Sequence, residues 1–204
     1  MINLVTLIRF KGSGFPALDS LLEMQWEAMQ SWARIGANVT IVAKPGQVYW
    51  RDLCEQLLKY EVAAQIGSDD FLTEEIGVVF DFISKQTGPA WATSHRRHFD
   101  WGQPMDTGEI GKPSYGLDCW VANHSFWKAL SESYVAEFSK LGILEDNAVS
   151  SFANINFPDS GWDFTDKRCL YHPRHGEQIV GRGSFNVGKE GAIDRAGIPP
   201  RSIP

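Results

Sequence analysis

The chain alternates short apolar runs with stretches of helical spacing. Ile2, Leu4, Val5, Leu7 and Ile8 form an almost continuous apolar run within Met1–Phe10, the pattern of a strand covered on both faces. Gly, Ser and Pro in 11–16 predict a loop. From Leu18 to Ile35 the spacing becomes helical, with Leu22, Trp26, Met29 and Ala33 on one face and Gly36 as the stop. Asn38–Ala43 predicts a second strand closed by Pro45-Gly46, Leu53 and Leu57 a short helix, and Val62–Ile66 a third strand. Ile76, Val79, Phe80 and Ile83 return to helical spacing, ended by Gly88-Pro89. Ala90–Ser94 and Leu117–Ala122 predict strands, separated by a polar, glycine-rich loop from His95 to Gly116. Phe126, Leu130, Tyr134, Phe138 and Leu141 mark a further helix, and beyond Asn154 the pattern weakens. From Gly176 the chain is rich in Gly, Pro and isolated basic residues, which reads as a mobile or partner-dependent segment.

Strands alternating with helices predict the α/β class: one domain over residues 1–175, a mainly parallel, twisted sheet covered by helices, with a tail over 176–204. Ligands on such sheets bind outside the carboxyl ends of the strands. Arg9, Asp69 and Asp70 stand at those ends in this reading.

Composition narrows the partners. An apolar fraction of 43% with 22% charged residues over 204 positions is that of a folded domain, and the net charge of -6 argues against a globally basic nucleic-acid binder. The three cysteines, Cys54, Cys119 and Cys169, are far apart and form no C-x-x-C pair. That argues against a disulfide framework or thiolate zinc site and suits a reducing compartment. Neither a leader pattern nor a membrane-length apolar run is seen, so a cytoplasmic location is expected. Eight tryptophans are a surplus that suits core filling or a stacking cleft. Trp101, in a polar loop beside Asp100, Gly102 and Pro104, is the candidate cleft wall, whereas Trp91, Trp120, Trp127 and Trp162 read as core.

The candidate chemistry centres on Gly67-Ser68-Asp69-Asp70-Phe71-Leu72. Adjacent carboxylates at a strand end can hold a hard divalent cation, Mg²⁺ or Mn²⁺, which neutralises a diphosphate. The same residues also suit a strand-to-helix turn that satisfies free amides. Asp118 lies inside an apolar strand candidate, where an unpaired carboxylate is costly, so it must be paired or face a cleft.

Four further segments complete an order that resembles the small nucleotide-sugar glycosyltransferases of the GT-A fold. They are Thr6-Leu7-Ile8-Arg9, Tyr115-Gly116-Leu117-Asp118, Leu144-Glu145-Asp146-Asn147 and Tyr171-His172-Pro173-Arg174-His175. The resemblance implies a metal-dependent transfer of a sugar from a nucleotide-diphosphate donor to a glycan, nucleic-acid or small-molecule acceptor. It implies donor contacts from Thr6, Arg9, Asp69, Arg96 and Arg97, and metal ligation by Asp70, Asp69 and His172 or His175. Asp146 would take the acceptor's proton, with Asp118 as the other catalytic candidate or an acceptor contact beside Trp101. The turn reads Ser-Asp-Asp and not a strict Asp-x-Asp, which leaves open which aspartate ligates. A nucleotidyltransferase of related fold is the alternative enzyme, although Lys11-Gly12-Ser13-Gly14 is too short and wrongly ordered for a phosphate cradle. A carbohydrate- or nucleotide-binding module without catalysis is the alternative from another class.

Overall fold

The structure, a computed structural model, describes residues 1–8, 18–44, 46–110, 119–139, 143–174 and 201–204. The strands are β1 (Asn3–Leu7), β2 (Asn38–Val42), β3 (Val62–Ile66), β4 (Phe71–Leu72), β5 (Trp91–Thr93), β6 (Arg97–Asp100), β7 (Glu109–Ile110), β8 (Cys119–Asn123), β9 (Gly161–Asp163) and β10 (Leu170–Arg174). The helices are α1 (Leu18–Arg34), α2 (Trp50–Leu57), α3 (Ile76–Ser84), α4 (His124–Ser131) and α5 (Ile143–Asn156).

Six strands form the central sheet in the order β2-β1-β3-β8-β5-β9. Parallel pairing joins β2 to β1, β1 to β3 and β5 to β9, whereas β8 runs antiparallel to both β3 and β5. The sheet is therefore mainly parallel, with β8 alone reversed. Side-chain alternation explains the nearly continuous apolar runs, because both faces are covered. Leu4, Ala64, Ile66, Val121 and Ala92 enter one core, with Trp32 of α1 and Ile76, Val79, Phe80 and Ile83 of α3. Val5, Ala63, Trp120, Ala122 and Trp91 enter the other, with Trp50, Leu53 and Leu57 of α2 and Phe126, Trp127 and Leu130 of α4. Trp91, Trp120 and Trp127 are fully buried, as core tryptophans.

A second sheet, β4-β10-β6-β7, stands at the carboxyl end of β3. It occupies much of the span that reads as loop in the sequence from His95 to Gly116, where β6, a 3₁₀ turn (Met105–Thr107) and β7 fold instead. Strands of two to five residues leave too few positions for a period to register in the sequence. The same brevity hides β9 and β10 beyond Asn154.

Two further expectations are corrected. On the expected face of α1, Leu22, Trp26 and Ala33 are exposed, Trp26 at 61% and Leu22 at 38%, and only Met29 packs partly against the core. The buried stripe is Met24, Ala28 and Trp32, at i, i+4 and i+8, flanked by Gln25 and Ser31. The single helix expected across Phe126–Leu141 breaks after Ser131, and a 3₁₀ turn (Tyr134–Glu137) follows. Ser133 causes the break by accepting a hydrogen bond from the Val135 amide, which caps the new turn. Of the tail, residues 176–200 lie outside the described residues. Residues 201–204 run along β9: the Asp163 amide donates to the Arg201 carbonyl at 2.7 Å, the Ile203 amide donates to the Asp163 carbonyl at 2.9 Å, and Ile203 is buried.

Candidate functional site

The parallel strands β1 and β3 end together, and the chain leaves β3 at Ile66 into Gly67-Ser68-Asp69-Asp70 before entering β4. The turn closes on itself through the Asp70 amide, which donates to the Gly67 carbonyl at 3.2 Å. Because β10 pairs antiparallel with β4, with Tyr171 opposite Phe71, the next residue along β10, His172, reaches Asp70. His172 Nδ1 stands 2.8 Å from Asp70 Oδ1. Asp69, Asp70 and His172 each offer a ligand atom, all within 4.8 Å of one another, in two residues adjacent in sequence and one 102 positions away.

Electrostatics makes this group unusual. Asp70 is completely buried, and a buried carboxylate is costly unless compensated. Arg96 supplies part of that compensation. Its Nη1 lies 3.7 Å from Asp70 Oδ1 and 3.2 Å from His172 Nδ1, with the guanidinium side chain 8% exposed. Nδ1 therefore stands between two partners, and when protonated it donates to Asp70, whereas unprotonated it accepts from Arg96. The second carboxylate oxygen, Asp70 Oδ2, is buried with no hydrogen-bond partner among the described residues.

That orphaned oxygen is the feature a cation would satisfy. The donor set of two carboxylates and one imidazole suits Mn²⁺ or Mg²⁺. The ligand atoms of Asp69, Asp70 and His172 lie within 4.8 Å of one another, near enough to converge on one ion. The residues present fit such an ion.

Three side chains of α1 hold the acidic turn from behind. Gln25 Nε2 donates to Ser68 Oγ at 2.7 Å, Trp32 Nε1 donates to the Asp70 carbonyl at 2.9 Å, and the Leu72 amide donates to Ser31 Oγ at 3.2 Å. Taking Leu22 and Trp26 as the packing face concealed this face in the sequence. The stripe Met24-Ala28-Trp32 was the available signal for it.

His98 is the other residue absent from the sequence reading's site. The register pairs it with His172 across β6 and β10, and the two rings meet edge to face with centroids 5.5 Å apart. Strand alternation places Arg97 on the face opposite His98. The structure thus brings Arg96 to the carboxylates and leaves Arg97 beside Tyr171.

Thr6 is fully buried, and its hydroxyl donates to the Ile66 carbonyl at 2.9 Å, so it is engaged within the sheet. Trp101 is half-buried with its ring 6.3 Å from Phe71, immediately beyond the acidic turn. His95 lies between β5 and β6, and burial pushes its pKa below the ordinary value, with Asp163 opposing that shift. Asp146 falls on the first turn of α5, but its side chain, like Arg9, Asp118 and His175, lies outside the described residues.

No protein-family model matches the chain, and no curated protein matches it. Solved structures do. The TarS protein of S. aureus in complex with UDP-GlcNAc aligns at a TM-score of 0.52 and 12% identity, over 88% of this chain and 61% of that one. A glycosyltransferase involved in the glycosylation of the major capsid of PBCV-1 aligns at 0.47 and 12%, over 95% and 98%. A Drosophila β-1,4-galactosyltransferase 7 mutant in complex with manganese, UDP-Gal and xylobiose aligns at 0.41 and 10%, over 86% and 72%. The likeness to TarS is one of fold: the chain is a single α/β domain of GT-A type, spanning under two thirds of that protein.

Proposed function

We propose that this GT-A-fold chain is a cation-dependent glycosyltransferase that moves a sugar from a nucleotide-diphosphate donor to an acceptor. The observation that carries the reading is the convergence of Asp69, Asp70 and His172 beyond β3, with Asp70 Oδ2 buried and unsatisfied among the described residues. The fold likeness to a UDP-GlcNAc complex puts uridine diphosphate sugars first among donors to test.

In this reading Asp70, Asp69 and His172 hold Mn²⁺ or Mg²⁺, which when bound neutralises negative charge on the departing diphosphate. An imidazole ligand favours Mn²⁺ of the two, because Mg²⁺ prefers an all-oxygen shell. Arg96, already against the carboxylate, adds a fixed positive charge beside the same phosphates. Its burial means that this charge acts in a low dielectric. Arg9 is a second donor contact in this account, and Trp101 forms one wall of the cleft. Asp146, on the first turn of α5, accepts the acceptor's proton, with Asp118 contacting the acceptor.

The test is a panel of nucleotide sugars screened by thermal shift with and without Mn²⁺. A donor at 100-fold its Kd adds about 2.7 kcal/mol to stability. Stabilisation by a nucleoside diphosphate sugar only when Mn²⁺ is present, followed by sugar transfer or slow donor hydrolysis, is the expected result. Stabilisation by sugars alone, indifferent to metal and without turnover, would replace the enzyme with a binding module.

A further inference from the structure

The acidic turn is held by an unusual partner. Gln25 is 2% exposed and Ser68 is 6% exposed, and their side chains meet at 2.7 Å inside the protein. Gln25 Oε1 is buried with no hydrogen-bond partner among the described residues. Exchanging the amide's nitrogen and oxygen would not help, since one end would still face Ser68 and the other would stay unsatisfied. A buried amide with an unsatisfied end is less stabilising than an apolar side chain of the same shape. Packing therefore does not explain a glutamine at this position. What glutamine does there is fix Ser68, two residues before Asp70.

The other α1 contacts sharpen the assignment. Trp32 grips the Asp70 carbonyl and Ser31 accepts from the Leu72 amide, so residues 68, 70 and 72 are each tied to the same helix. Trp32 and Ser31 act on the backbone. Gln25 acts on a side chain at the entrance to the turn, where rotation of the Gly67–Asp70 segment would redirect both carboxylates. Gly67, at the joint between β3 and this turn, adds no side chain to resist such rotation.

We infer that Gln25 is a positioning residue for the cation site: through Ser68 it sets the direction of the Asp69 and Asp70 carboxylates, and so the affinity of the site for a divalent ion. The inference rests on the cation reading of Asp69, Asp70 and His172. Partners that orient metal ligands from behind are typically worth about 10–100-fold in metal affinity.

The experiment measures Mn²⁺ binding to the full chain by electron paramagnetic resonance, together with the unfolding temperature of each variant. Gln25→Met keeps the volume and removes the amide. Ser68→Ala removes its partner, and Met24→Ala truncates a buried side chain of the same helix while keeping the hydrogen bonds of Gln25, Trp32 and Ser31 to the turn. Gln25→Met and Ser68→Ala should each raise the Kd for Mn²⁺ by roughly 10-fold, and the double variant should be no worse than either, because one interaction is lost once. Met24→Ala should lower the unfolding temperature with the Kd unchanged. Wild-type affinity in Gln25→Met, additive losses in the double variant, or an equal loss in Met24→Ala would overturn the positioning role while leaving the cation site standing. If wild type binds no Mn²⁺, the cation reading itself falls, and the positioning role with it.

Discussion

At Asp70 a carboxylate is fully buried with one oxygen shared between an imidazole and a guanidinium and the other unsatisfied among the described residues. Such a group contributes less to stability than to readiness for a ligand. Asp70→Asn keeps the size and the hydrogen-bonding shape and removes the charge, so Mn²⁺ affinity should fall by at least about 100-fold while the chain stays folded. Calorimetric titration beside a melting curve reads both, and a melting loss with intact Mn²⁺ affinity would make Asp70 a structural residue. Asp146→Asn makes a different prediction. A positioned base is worth about 10²–10⁴ in rate and little in ground-state binding, so kcat should drop by that factor with donor affinity nearly unchanged. Normal turnover in that variant would move the base to Asp118.

Among the elements, α1 and the small second sheet decide the site. The acidic turn was legible in the sequence because a small residue and two carboxylates end an apolar run, and His172 was legible from its place late in the order of motifs. What placed them together was not legible. Antiparallel pairing of the two-residue β4 with β10 carries His172 to Asp70, and pairing between distant short strands leaves no local period. For α1, two apolar stripes compete, and the one with the larger exposed side chains, Leu22 and Trp26, lost to Met24, Ala28 and Trp32 because the turn's polar groups needed Gln25 and Ser31. The buried thiols give an independent check on the central sheet and its packing. Burial pushes the pKa of Cys54 and Cys169 to about 12 from an ordinary 9.0, and Cys119 is buried in β8. Well below pH 9 the thiols of Cys54 and Cys169 are protonated in both states. Between about 9 and 12 the unfolded thiols ionise and the folded ones do not, so stability falls as pH rises through that window. A disulfide reagent at pH 8 should label none of the three until denaturant is added; fast labelling of the native chain would contradict this packing.

On the scale of the whole molecule, both sheets and Ile203 share one of the two cores. Ile203 is 4% exposed within the cluster that contains Leu4, Trp32, Phe71 and Phe164, and Lys167 Nζ donates to the Pro204 carbonyl at 2.8 Å. Ile203→Ala should therefore cost about 2 kcal/mol or more in chemical denaturation. An unchanged denaturation midpoint would detach these last residues from the fold. The reading of residues 176–204 as one segment follows from composition, and composition could not reveal that Ser202 bridges to Asp163 of β9, with Arg201 and Ile203 hydrogen-bonded to Asp163 on either side. In the proposed account, function at this scale depends on the turn after β3 and the strand β10 meeting at a single ion. The most direct measurement is the electron paramagnetic resonance spectrum of Mn²⁺ titrated with the full chain, with and without uridine diphosphate, for wild type, Asp70→Ala and His172→Ala. Wild type should bind one Mn²⁺, and the diphosphate should tighten it and alter its spectrum, while both variants stay folded and lose binding. Equal Mn²⁺ binding by wild type and both variants, or a diphosphate that binds without regard to Mn²⁺, would contradict the account.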